Sequence, residues 1–233
     1  MKEEIQKWWN RNPCQIINSN KQGIDFFEDV ERVRYWMHPW IKNYFMGVKG
    51  KKILEVGCGI GTDLVNFVRY GGVATGIDMS DNSLELAEVN LKLNGFKAEL
   101  ILMDAENLEF KDNTFDIVYS YGVLHHTINT QKGIDEIHRV LNPKGTAIIM
   151  LYNKLSLVRL LHPNINKYEG RRPEEKEFCP LLKTYTSKEV KKMFSKFSSI
   201  KIDKRFVGNK LEGHIPDFIK KRIGWHIIIE AIK

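Results

Sequence analysis

An α/β fold built on a mostly parallel sheet is the fold class this sequence predicts, on three observations. Apolar β-type runs recur along the first two thirds of the chain, at 53–56, 73–78, 98–103, 115–121 and 146–152. Helix-like stretches separate them, the alternation that builds a parallel sheet. The first run, Ile53-Leu54-Glu55-Val56, passes directly into Gly57-Cys58-Gly59-Ile60-Gly61-Thr62-Asp63. Glycine belongs where a side chain would keep a ligand off the backbone, so Gly57, Gly59 and Gly61 predict a ligand-facing turn from strand into helix.

The spacing narrows the ligand. A dinucleotide fingerprint, G-x-G-x-x-G counted from Gly57, would need glycine where Thr62 stands, and the third glycine comes one residue early. That argues against NAD. The second run, Val73 to Asp78, closes on an acid about 20 residues past the glycines, where α/β nucleotide folds place a ribose-binding carboxylate. Asp78 also suits a turn or cap ahead of a helix starting near Ser80. The third run ends at Asp104-Ala105-Glu106-Asn107-Leu108, and the fourth continues as Tyr121-Gly122-Val123-Leu124-His125-His126-Thr127. A helical stretch with Ile134, Ile137 and Val140 follows, then Asn142-Pro143-Lys144-Gly145 and the fifth run, Thr146 to Tyr152.

With Glu55 ahead of the glycines, the first turn resembles motif I of the class I S-adenosylmethionine (SAM) dependent methyltransferases. Residues 115–127 resemble motif IV of their quinone and small-molecule branch. The likeness runs in order over roughly residues 51–153 and is weaker on both flanks; Asn142-Pro143-Lys144-Gly145 departs from the commoner Pro-Gly-Gly. It implies a Rossmann-like, seven-stranded sheet with helices on both faces and an antiparallel last strand, with SAM as donor and S-adenosylhomocysteine as product. Residue by residue it implies donor contacts from Glu55, Gly57, Cys58, Gly59 and Gly61, from Asp78, Met79 and Ser80, and from Asp104, Ala105, Glu106 and Ser120. Asp78 would accept from the ribose hydroxyls and Asp104 from the adenine amino group. Ala105 would offer its N–H to the ring, and Met79 would pack on the ring face. Within the turn, Cys58 reads as a small residue that fits and not as a reactive thiol.

Methyl transfer is an in-line displacement, so orientation of the reactants dominates and a general base adds a smaller factor. Where a hydroxyl or ring carbon is methylated a proton must leave. His125 and His126, just past the fourth strand, are the best-placed bases, and Tyr121 and Tyr152 at the carboxyl ends of the fourth and fifth strands should face the same crevice. Adjacent histidines are also ordinary helix-start or core residues. They do not suggest a metal, because chain neighbours point apart and no nearby group completes a ligand set.

The flanks extend the core. Phe26, Val30, Val33 and Met37 recur at three- and four-residue steps, predicting an amphipathic helix over 24–38 that Pro39 ends, with a second short helix through Phe45. Trp8, Trp9, Trp36 and Trp40 add large aromatic groups suited to packing or to contact with a cationic ligand. A helical stretch over 154–161 stops at His162-Pro163, and a polar, proline-punctuated segment follows. Thr186-Ser187-Lys188-Glu189 has capping-box spacing. Runs at 199–207 and 224–233 predict a closing antiparallel pair. The expected organisation is one domain: an N-terminal helical lid over 1–48, a donor-binding core over 49–153, an inserted substrate lid over 154–185, and a C-terminal helix and β-hairpin over 186–233.

At 233 residues the chain can bury a full core without disulfides or metals, and Cys14, Cys58 and Cys179 suggest neither a disulfide framework nor a zinc cluster. The charged start and the lack of a ~20-residue apolar run predict a soluble, cytoplasmic protein. Charge is uneven: residues 1–153 hold 17 Lys and Arg against 20 Asp and Glu, whereas residues 154–233 hold 19 against 9. A basic C-terminal third suits an anionic partner, or is a solvated lysine-rich face. The expected function is methyl transfer to a small-molecule or lipid-like acceptor, with anionic character in the acceptor a further expectation. Peripheral membrane contact is compatible with it. RNA methylation, non-catalytic SAM binding with docking through the basic face, and nicotinamide chemistry are the alternatives; nucleic acid is disfavoured because no added RNA-binding module is visible.

Overall fold

A computed structural model of the protein describes residues 1–13, 20–161, 179–207 and 214–233. Cys14 and most of the expected inserted lid lie outside the described residues.

The apolar runs become a seven-stranded sheet in the order β3-β2-β1-β4-β5-β7-β6. Its strands are β1 (Lys52–Val56), β2 (Val73–Asp78), β3 (Glu99–Leu102), β4 (Phe115–Tyr121), β5 (Leu141–Tyr152), β6 (Ser199–Arg205) and β7 (His226–Ile232). β1 pairs in parallel with both β2 and β4, β4 in parallel with β5, and β7 lies antiparallel between β5 and β6. Ile53, Leu54 and Val56 are fully buried, as expected of a strand covered on both faces. The chain steps outward from β1 to β3, then returns to place β4 on the other side of β1. That reversal opens a crevice at the carboxyl ends of β1 and β4, where ligands of open α/β sheets bind.

Local chemistry sets the helices between the strands. α1 (Lys2–Arg11) and α2 (Gly23–Met37) precede the sheet, followed by a 3₁₀ segment, Pro39–Phe45, that begins at the expected proline. α3 (Thr62–Arg69) follows Gly61, which sits at φ 77. α4 (Asp81–Leu93) is capped by the Ser80 hydroxyl, which accepts from the Ser83 N–H, and α5 (Thr130–Val140) by the Asn129 side chain accepting from Lys132. α7 (Ser187–Met193) opens with the predicted Thr186–Glu189 capping box. Two apolar clusters cover the sheet. One gathers Ile137, Ile149, Phe194 and Ile229; the other gathers Ile41, Phe45, Phe67 and Tyr119.

Three expectations are corrected. The helix over 154–161 shrinks to α6 (Leu157–Leu161), because the Asn153 side chain accepts from the Leu155 N–H and donates to the Gly224 carbonyl, holding Lys154 and Leu155 in a turn. The fifth strand starts five residues earlier than expected: the Asn142 to Gly145 turn is drawn into its edge, with Lys144 at φ 65 and the Leu141 carbonyl taken by Lys233 Nζ at 2.8 Å. The closing pair is antiparallel but not a hairpin, since α8 (Asp217–Ile223) lies in the connection between β6 and β7. No helix among the described residues is long and apolar enough to cross a membrane.

Candidate active site

The glycine turn is shaped by what a side chain would hit. Gly57 sits at φ 74, and a Cβ there would stand 2.3 Å from Val123 Cγ2. The Gly57 and Cys58 N–H groups both donate to the Ile77 carbonyl at 2.7 and 2.9 Å, fixing the turn to the end of β2. Asp78 then accepts from the Gly59 N–H on one oxygen and from the Ser80 N–H on the other, each at 2.9 Å. Burial pushes the Asp78 carboxyl up, and these backbone donors pull against it. Glu55 is buried behind the turn with Oε2 lacking a hydrogen-bond partner among the described residues; burial, then the nearby Asp63, hold its carboxyl well above the usual range.

Gly57, Gly59, Asp78 and Met79 line a cavity of about 80 Å³ in the crevice, joined from the next strand by Ala105 and Glu106. Other expected donor residues stand behind this wall. A Cβ on Gly61 would lie 3.1 Å from Ala87 Cβ, so that glycine lets α3 and α4 pack together. Buried Cys58 has its thiol pushed up chiefly by that burial. Ser80 caps α4, and the Ser120 hydroxyl donates to the Val56 carbonyl at 3.2 Å. Asp104 accepts from the Glu106 N–H and is ion-paired with Lys2.

α1 closes the cavity from above through Lys2, Ile5 and Trp9. It is pinned by Gln6 Nε2 donating to the Met79 carbonyl at 2.9 Å and by Asn82 Nδ2 donating to the Asn10 carbonyl at 2.7 Å. Trp8 turns inward and is buried, whereas Trp9 lies edge-on to His126 at 5.2 Å.

The opposite wall is the end of β4 and the 3₁₀ turn Leu124–His126. His126 lines the cavity, and its Nδ1 stands 2.7 Å from the Leu181 carbonyl and 3.2 Å from Cys179 Sγ. A carbonyl only accepts, so Nδ1 holds the proton and Nε2 keeps the lone pair. Burial pushes the imidazole down to about 4, leaving it neutral near pH 7. His125 is fully buried between His126 and Tyr152, with ring centroids at 4.3 and 3.9 Å, and lies off the cavity wall. Tyr152 also lies off it, stacked on Trp225 at 4.5 Å. Tyr121 lines the cavity with its ring, but its hydroxyl accepts from Trp40 Nε1 and pairs with His226 Nδ1, both at 3.2 Å.

One buried ion pair ties α2 to the helix after the glycine turn. Arg34 donates from Nε to Asp63 Oδ1 at 2.7 Å and from Nη2 to Oδ2; Tyr35 and Tyr119 hydroxyls complete the carboxylate at 3.0 and 2.8 Å. Sequence reasoning missed this pair, the Lys2 and Ile5 positions in the cavity, and the Leu181 and Cys179 contacts of His126. The spacing of Lys2, Ile5 and Trp9 at helical steps was the one available signal; a carbonyl 55 residues from its histidine leaves none.

Residues 54–149 match the family model described as a methyltransferase domain. That segment of the chain, from β1 into β5, is similar to a methyltransferase domain. The chain is 29% identical over 160 residues to a ubiquinone biosynthesis O-methyltransferase of Rickettsia prowazekii, covering 66% of this chain and 60% of that protein. It is 32% identical over 133 residues to norajmaline N-methyltransferase of Rauvolfia serpentina, covering 55% of this chain and 43% of that protein. The chain thus spans less than two thirds of the length of either. Among solved structures, the magnesium protoporphyrin IX methyltransferase of Synechocystis with bound SAM aligns over 100% of this chain and 96% of its own, at a TM-score of 0.66 and 15% identity. A [4+2]-cyclase, SpnF, shares the fold at a TM-score of 0.61, with 97% of this chain and 92% of its own covered at 15% identity. The fold alone therefore does not name a reaction.

The glycine turn has the geometry to admit a nucleotide-type ligand. Gly57 and Gly59 present bare backbone to the cavity beside the Asp78 carboxylate, and a Cβ on Gly57 would collide with Val123, which lines the same cavity.

Proposed function

We propose that the protein transfers a methyl group from SAM to a small, largely apolar acceptor, with His126 taking the acceptor's proton. When bound, SAM supplies a methyl group on a sulfonium centre. Gly57 and Gly59 would hold the donor along the turn, Asp78 would accept from its ribose hydroxyls, and Met79 and Ala105 would flank its adenine. Asp104 would accept the adenine amino group once Lys2 yields its carboxylate. The carrying observation is the fixed tautomer of His126, whose Nδ1 proton is committed to Leu181, leaving Nε2 as the acceptor on a ring that lines the cavity. Tyr121 serves as wall and not as base, since its hydroxyl is already engaged by Trp40 and His226.

The acceptor class follows from the wall around that histidine. Ile5, Trp9, Val123 and Ile128 present apolar surface there, which favours a flat, apolar body positioned by contact area. The quinone, sterol and alkaloid acceptors named for relatives have that character. An anionic group on the acceptor would be met by the basic C-terminal third. The test is calorimetric titration with SAM, S-adenosylhomocysteine and NADH, followed by labelled methyl transfer into metabolite, lipid and RNA extracts. Binding of both sulfur nucleotides but not NADH, with label entering organic-soluble small molecules, is expected. Label in RNA, donor binding without turnover on any pool, or preference for NADH would each overturn the reading.

A further inference from the structure

The outer edge of the crevice has a surface that donor binding does not use. β5 runs toward this edge and β7 runs away from it, so α6, which follows β5, and α8, which precedes β7, leave the sheet at the same side. The Asn153 N–H donates to the Trp225 carbonyl at 2.7 Å and Asn153 Nδ2 to Gly224 at 2.8 Å, fastening the two approaches together. Each helix keeps its inward face half-buried, through Leu157 and Val158 on α6 and Ile219 and Ile223 on α8, while other large apolar side chains face water: Leu160 is 77% exposed, Leu161 58% and Phe218 66%, with Leu155 just ahead of α6 at 66%. A single exposed leucine means little, but four large apolar groups on one edge call for a partner.

Charge decides which partner. Lys221 and Arg222 stand three and four residues after Phe218, on its face of α8, and both are exposed; Lys154 is exposed beside Leu155. Asp217 is the exposed acid on α8 that counts against them. Apolar side chains set among cations are the pattern that enters the headgroup region of an anionic bilayer. The cavity opens toward the same side of the sheet, because it lies at the carboxyl ends of the parallel strands and its wall includes the 43% exposed Ile128.

We infer that the α6–α8 edge is a membrane-docking surface, which seats the protein on anionic lipid with the mouth of the cavity beside the bilayer. The occupant is the phospholipid surface, and docking does not depend on the methyl-transfer reading. It does provide a route by which a water-insoluble acceptor could reach the cavity from the lipid without crossing water.

The experiment is co-sedimentation with sucrose-loaded vesicles of phosphatidylcholine alone and of phosphatidylcholine with about one third phosphatidylglycerol, at low and high salt. Each basic side chain at an anionic surface is worth about fivefold, so the wild-type protein should partition at least about tenfold more to the anionic vesicles at low salt. Lys221→Glu with Arg222→Glu should abolish that preference. Leu160→Ser with Phe218→Ser should weaken the binding that survives high salt. All four positions are exposed, so SAM affinity by calorimetry should stay at the wild-type value in both variants, which separates lost docking from lost folding. Equal partition to the two vesicle types, no binding by the wild type, or variants that bind like the wild type would overturn the inference. Vesicle binding without SAM binding would sustain it while removing the methyltransferase reading.

Discussion

The two sides of the cavity are built in different ways. The donor side is three consecutive strand-to-turn units, ending at Gly57–Gly61, at Asp78–Ser80 and at Asp104–Glu106, and backbone N–H groups fasten each to the next, Gly57 and Cys58 to the Ile77 carbonyl, Gly59 to Asp78 and Met103 to the Asp78 carbonyl. The acceptor side is assembled from distant pieces: α1 from the start of the chain, the Tyr121–His126 segment from the middle, and Leu181 and His226 from the far end. A donor common to many enzymes can be held by a local motif. An acceptor peculiar to one enzyme is met by side chains that only folding brings together.

The largest expected effect lies behind the donor side, where α2 is tied to the helix after the glycine turn. Arg34→Met would leave Asp63 charged and buried without its cation, at a cost of about 3–5 kcal/mol, read as a fall in the denaturant midpoint. A loss under about 1 kcal/mol would mean that Tyr35 and Tyr119 alone satisfy the carboxylate and that α2 is not anchored through it.

His126→Gln sharpens the contrast by acting on one side only. It should lower kcat about 10²–10⁴-fold while leaving SAM affinity within about twofold; equal losses in both would place the residue in donor binding. Because burial holds the imidazole down at about 4, kcat should stay flat from pH 8 to 6, in place of the limb near 6.5 that an ordinary histidine gives. Stability has the matching sign. The folded state keeps His126 neutral while the unfolded chain protonates it below ~6.5, so stability present above that pH is lost as pH falls toward 4, by about 1.4 kcal/mol per unit. His126→Gln should make the Tm against pH profile less steep over that window, with His38, His125 and His226, also pushed down by burial, keeping the rest of the slope.

Gly57→Ala addresses the donor side. The positive φ and the clash with Val123 should together cost about 2 kcal/mol and depress SAM affinity more than acceptor affinity. Adding Val123→Ala should recover only the part due to the clash. The smallest effect belongs to the contact that joins α1 to the donor side. Lys2→Ala removes a half-exposed partner of Asp104, and SAM affinity should change by less than about fivefold. A rise would indicate that Lys2 competes with the adenine for Asp104.

The donor side was legible because its signals are local. Apolar runs, alternating glycines and an acid at a set distance are imposed by strand geometry and close backbone approach, so they survive as patterns in the chain. The capping box at Thr186 and the proline at the start of the 3₁₀ segment were legible for the same reason. The sequence could not separate His125 from His126, since both neighbours fit the same motif. Their difference lies in which ring meets Leu181 and which is walled in by Tyr152. Nor could it foresee that Tyr121 would spend its hydroxyl on Trp40 and His226, 81 and 105 residues away.

The sequence by itself determined the alternation of strands and helices from β1 to β5, the glycine turn at Gly57–Gly61, and the carboxylate at Asp78 beside it. Only the tertiary structure decided which titratable group faces the cavity and in which tautomer, that α8 separates the last two strands, and that α1 closes over the site. Local backbone preferences act over a few residues and leave a readable period. Burial, hydrogen-bond pairing and charge compensation act between surfaces that meet only once the sheet has formed.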